Sequence, residues 1–120
     1  MLKTITLLLI LLFPITATAE DWSDTDSALE ISWQIIHSID WLQTISAMKQ
    51  PDIYHDNNPV MGKHPSLDKV DSYMAISAIG HLAISYLLPK EYRPYWHYPT
   101  IAISGTCVIN NINVGVNINF

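Results

Sequence analysis

The stretch "SLDKVDSYMAISAIGHLAISYLLP", residues 66 to 89, decides the fold. Ser66 can cap a helix, Asp68 in the first turn suits the positive end of the helix dipole, and Pro89 closes the segment. A helix is therefore expected over roughly Leu67 to Leu88. From Tyr73 to Leu88 it has no formal charge. Its polar groups are Tyr73, Ser77, His81, Ser85 and Tyr86, and the first four recur at every fourth residue, forming one narrow stripe on an apolar surface. A helix of an ordinary soluble domain spreads charges over its exposed face. Here the stripe is expected to turn inward, leaving isoleucine and leucine outside.

The flanking segments repeat the pattern. Ala28 to Gln50 has no proline or glycine and stops at Pro51, which reads as a first helix with His37, Asp40 and Thr44 on one side. Beyond a short link, "YWHYPTIAISGTCVINN", residues 95 to 111, reads as a third helix from Tyr95 to about Asn110, with Pro94 and Pro99 near its start. Its seam is Thr100, Ser104 and Asn111, joined by Gly105 and Cys107. Its isoleucines, valines and threonines leave a strand pair as the alternative. The ending "NINVGVNINF", residues 111 to 120, alternates with a period of two and suggests an edge strand or an extended tail. The fold class expected is all-α, a small three-helix bundle with a possible short C-terminal β tail.

Three seams facing one another beneath uncharged outer faces suit a bundle in lipid, where helices meet through small and hydrogen-bonding residues. Glu30, His37 and Asp40 would each be costly near a bilayer centre, so the first helix has an interfacial alternative, with Trp33 and Trp41 at headgroup level. Tyr92, Tyr95, Trp96 and Tyr98 form a second aromatic group of the kind found at membrane interfaces. The competing reading places such aromatics in the core of a soluble periplasmic domain.

The opening "MLKTITLLLILLFPITATAE" has an early lysine, an apolar run from Ile5 to Phe13, Pro14 and a small-residue exit, the layout of a secretory signal peptide cleaved after Ala19. Residues 1–19 are thus expected to be a signal peptide, and residues 20–120 one helical membrane-associated domain. The expected location is exported, at the inner membrane or cell envelope. Eleven acids against six bases leave a net charge of -5 and no basic patch, which argues against nucleic acid as a partner. The expected partners are membrane lipid and a protein, or a second copy of the chain. Cys107 is the single cysteine and cannot form an internal bridge.

Between the first two helices lies "YHDNNPVMGKHPS", residues 54 to 66. Pro59 and Pro65 stiffen the residues before them, Gly62 permits a tight turn, and the asparagines can bond the backbone locally, so an ordered loop is expected. Together with "DWLQT", residues 40 to 44, it resembles a family of small uncharacterised bacterial and phage-associated membrane proteins. That family has an Asp-x-x-Gln-Thr helix followed by an acidic-x-Asn-Pro-x-x-Gly-x-x-Pro-Ser loop. Asp40, Gln43, Thr44, Asp56, Asn58, Pro59, Gly62, Pro65 and Ser66 carry the likeness, which spans residues 40 to 73. Aspartate stands at 56 where glutamate is more usual. The resemblance implies no established activity.

The polar residues expected to gather are His37, Asp40, Thr44, His55, Asp56, Asn58 and His81, with the "DNNP" loop folded onto the seams of the first two helices. Asp40 is expected to pair with His81, a loop amide or a tyrosine, and Asp40→Ala to destabilise more than His97→Ala. One alternative makes His37, Asp40 and His81 the ligands of a small metal-dependent hydrolase. Neither H-E-x-x-H nor paired C-x-x-C is present, nor a G-x-S-x-G turn, so no catalytic residue or cofactor is assigned. The function expected is that of a non-enzymatic envelope protein acting through helix packing or partner contacts.

Overall fold

The computed structural model describes residues 21–118. The proposed signal peptide lies outside them. The fold is an all-α bundle of three helices: α1 (Asp24–Met48), α2 (Leu67–Leu87) and α3 (Arg93–Asn113).

Each boundary has a local cause. α1 begins four residues before the expected Ala28 because Ser23 is the cap. Ser23 Oγ accepts from the Asp26 amide at 3.0 Å and Asp26 Oδ2 from the Ser23 amide at 3.1 Å, a reciprocal capping box. α2 starts where expected, with Ser66 Oγ accepting from the Lys69 amide, and ends as Leu88 turns extended ahead of Pro89. α3 has Pro94 in its first turn.

The end of α3 corrects the expectation of a β tail. The helix runs on to Asn113, and no strand occurs among the described residues. Gly115 then adopts φ 91°, the Gly115 amide donates to Ile112 O and the Val116 amide to Asn111 O, both at 3.0 Å. This is the Schellman pattern, in which a left-handed glycine lets the chain fold back and satisfy the last carbonyls. The apolar alternation of "NVGV" is the stop signal of a helix: Val116 swings back into the core.

α1 is the central element, packed against α3 along most of its length and against α2, while the backbones of α2 and α3 come close at few points and the two helices meet mainly through side chains. The interior has two parts. Toward the loop, Trp41, Ile45, Met48, Met61, Val70, Met74 and Val116 form an apolar cluster. Toward the start of α1 the interior is polar: Glu30, Gln34, His81, Ser85, Arg93 and His97 are all buried. The exterior is correspondingly apolar, with Ile79 at 55 % and Ile103 at 65 % exposure, and with Ile31, Ile35 and Ile39 forming an exposed stripe along α1. Among the described residues no helix is long and apolar enough to cross a membrane.

Candidate functional site

The polar interior is organised around Glu30, a carboxylate with no exposed surface. Gln34, one turn along α1, donates to Oε1 at 2.9 Å and to the Ala78 carbonyl of α2 at 3.0 Å. From α2, His81 Nδ1 lies 3.0 Å from Oε1 and 2.9 Å from Oε2, and Ser85 Oγ donates to Oε2 at 2.7 Å. From α3, His97 Nε2 lies 3.1 Å from Oε2. A carboxylate only accepts, so His81 donates through Nδ1 and His97 through Nε2. Burial alone would raise the carboxyl pKa, but these donors, His81 and His97 foremost, outweigh it and bring the value to about 2.

The network continues toward the start of α1. Arg93 Nε donates to Ser85 O at 3.1 Å, while its Nη1 reaches Asp26 Oδ2 at 2.9 Å and Asp21 O at 3.1 Å. Burial would raise the Asp26 carboxyl, yet the Ser23 amide and Arg93 hold it below its ordinary value. The guanidinium lies over the Trp22 ring at 4.9 Å, and Trp22 stacks on Tyr86.

In the other direction runs a column of rings. Trp33 stacks on His81 at 3.7 Å with a 4° tilt and on His37 at 4.5 Å with a 13° tilt. Two imidazoles so nearly parallel to one indole cannot share a face, so Trp33 separates His37 from His81. Trp96 stacks on the far side of the column, 4.8 Å from His81. His37 Nε2 bonds Met74 O at 2.9 Å, and burial pushes its pKa down.

The residues expected to gather are only partly brought together. His37 and His81 belong to the seam, and Thr44 is buried with its hydroxyl given to Asp40 O. Asp40 does not pair with His81, a tyrosine or the loop: Oδ1 accepts from Asn111 Nδ2 at 2.9 Å, and the same amide group donates to Gln43 Oε1. It lies a helix turn beyond His37, too far along α1 for His81 to reach it past Trp33. Burial raises its pKa to about 6, with the nearby Asp56 charge adding to the effect. His55 is exposed and takes no part in the seam. Asp56 and Asn58 organise the loop itself: Asp56 Oδ1 accepts from the Asn58 amide at 2.6 Å and Asn58 Oδ1 from the Val60 amide at 2.8 Å. The loop docks through Met61 and Tyr54 rather than through "DNNP".

His37, Asp40 and His81 do not converge, and among the described residues no group of three or more His, Cys, Asp or Glu is arranged to hold a metal ion. Glu30, His81 and Thr100 do form an acid, imidazole and hydroxyl in line, with His81 Nε2 2.8 Å from Thr100 Oγ1. A nucleophile must be able to give its proton to the base. Here the Trp96 and His97 carbonyls, 2.8 and 3.1 Å from the same oxygen, compete for that one proton. The arrangement is suited to holding a buried charge.

Glu30, Gln34, Arg93, Trp96 and His97 lie outside the cluster expected from sequence, although Glu30 with Gln34 and Arg93 with His97 are four apart. The signal lies in alternating spacings of three and four: Glu30, Gln34, His37, Trp41, Thr44 and Met48 on α1 are all buried. No family model, curated protein or solved structure matches the chain.

Proposed function

We propose that this chain is a non-enzymatic, membrane-associated protein of the cell envelope that works through its apolar outer faces. Those faces rest on lipid and pack against a partner or a second copy. The observation that supports the reading most is the inverted polarity: a carboxylate, two imidazoles and a guanidinium sealed inside while isoleucines from all three helices stand outside. Fully buried ionic groups contribute little net stability compared with a well-packed apolar core, but they fix which faces meet, because any other pairing leaves a charge without its donors. Contiguous exposed apolar surface marks an interaction site. The bacterial and phage-associated resemblance of residues 40 to 73 belongs to the same reading, as does export through the leader.

The test is flotation of the purified chain with phosphatidylcholine and phosphatidylglycerol vesicles, alongside fractionation of expressing cells with an alkaline carbonate wash. Co-flotation and carbonate-resistant pelleting are expected. A chain that stays monomeric and free of vesicles without detergent, and is released by carbonate, overturns the proposal.

A further inference from the structure

We propose that Asp21 and Trp22 form a lid over the buried Glu30 centre, hinged at Ser23 and opening while the three helices stay packed. The lid is fastened to both of the outer helices. Trp22 stacks on Tyr86 of α2 at 4.3 Å with a 21° tilt, the Arg93 guanidinium of α3 lies 4.9 Å from its ring centre, and Arg93 Nη1 donates to Asp21 O at 3.1 Å. Beneath it Arg93 is only 2 % exposed, although its neighbours Tyr92 and Pro94 are exposed. Arg93 is thus the layer between lid and centre: its Nε donates to the carbonyl of Ser85, the residue whose hydroxyl donates to Glu30, and His97 follows one turn along α3.

The fastening is weaker than what lies on either side of it. Asp21 is exposed and has φ 60°, a left-handed conformation that an L side chain adopts at a cost. Asp21 and Trp22 precede α1 and stand outside its backbone ladder. They are held by the Arg93 bond, the two ring contacts and the bond from Trp22 Nε1 to Ser27 Oγ at 2.8 Å. From Ser23 onward the reciprocal capping box with Asp26 fixes the chain. The hinge therefore falls between Trp22 and Ser23, and a segment held by so few contacts opens before packed helices do. What the opening reaches is His97. It is fully buried, and its Nδ1 is the one buried side-chain nitrogen or oxygen among the described residues without a hydrogen-bond partner. With Nε2–H given to Glu30, Nδ1 of the neutral imidazole carries an unshared electron pair that a reagent can find once the lid is open.

The experiment labels the full chain near neutral pH with diethyl pyrocarbonate, which acylates an imidazole nitrogen through its unshared pair, and follows each histidine by peptide mass spectrometry. His55 and His64 are exposed and should react first; His37 and His97 are buried and should be slow. Trp22→Ala should raise the rate at His97 about tenfold and leave unchanged the rate at His37, which stacks on Trp33 farther along α1. Trp22→Phe keeps a ring against Tyr86 and Arg93 and should retain the slow rate. An unchanged His97 rate in Trp22→Ala overturns the proposal. So does a rise at His37 and His97 together, which is loosening of the whole bundle. If Trp22→Ala does not fold, labelling of the parent in urea below its unfolding transition decides. A lid exposes little surface, so the His97 rate should stay flat while the His37 rate climbs with urea; the same course at both histidines overturns the proposal.

Discussion

Glu30 shows how a single side chain can determine the packing around it. Its carboxylate accepts from one donor on α1, two on α2 and one on α3, so all three helices have to be in register before the charge is satisfied. Glu30→Gln keeps the shape but turns an amide NH₂ toward groups that donate. A loss of about 3 to 5 kcal/mol in urea denaturation is expected, the cost of breaking a buried charged network from one side. His97→Ala should be more damaging than His55→Ala, since His97 is fully buried and bonded to Glu30 whereas His55 is exposed. It should also exceed Asp40→Ala, the reverse of the order expected from sequence. Because the folded pKa of Glu30 is depressed, the stability it contributes is present above pH 4.5 and is lost as pH falls toward 2. Asp40 has the opposite sign. Its folded pKa of about 6 lies above the unfolded value of 3.8, so the ionised form costs stability above pH 6, and that cost fades as pH falls toward 3.8. Asp40→Asn retains an oxygen for Asn111 and should be more stable than the parent at pH 7.5 by on the order of 2 kcal/mol. Melting curves of the two proteins should converge by about pH 4.

At the scale of elements, the loop and the α3 terminus are each held by a left-handed glycine and an apolar anchor. Gly62 has φ 84° and open space where a side chain would go, so Gly62→Ala should cost about 1 kcal/mol from the backbone alone. Met61, which stands beside it in the core, should cost about 2 to 4 kcal/mol on truncation to alanine, against a few tenths for the exposed Val60. Thermal denaturation of the three variants checks the order. The first two helices were legible in the sequence because Ala28 to Gln50 runs without proline or glycine to Pro51, and because Ser66 and Pro89 bound the second. The inward seam of α2 was legible in part: His81 and Ser85 are buried, whereas Tyr73 and Ser77 are half-buried and Val70, Met74 and Ala78 take the interior in the first half of the helix. The α3 terminus was not: valine and isoleucine alternating with asparagine share a period with a strand, and only the φ of Gly115 separates a Schellman stop from an edge. Nor was the Glu30 centre legible, because its ligands come from three helices and no local spacing joins residue 30 to residues 81, 85 and 97.

At the scale of the molecule, apolar side chains cover an outside that polar ones would ordinarily occupy. Ile79→Lys combined with Ile103→Lys, both on exposed positions, should leave the unfolding free energy within about 1 kcal/mol of the parent while weakening vesicle flotation severely. Equal flotation of parent and double variant would place the contact surface elsewhere.

The few points at which the backbones of α2 and α3 come close have a mechanical consequence. α1 is the spine of a book whose two covers are tied by the Leu88 to Tyr92 link at one edge and clasped by Met61 and Val116 at the other. Opening such a book is resisted by the clasp, by the ring column along the spine, and by the Glu30 carboxylate and the His81–Thr100 and Trp96–Ser85 bonds that join the covers. Amide exchange should therefore be slowest along the inner face of α1 and faster on the outer faces of the two covers.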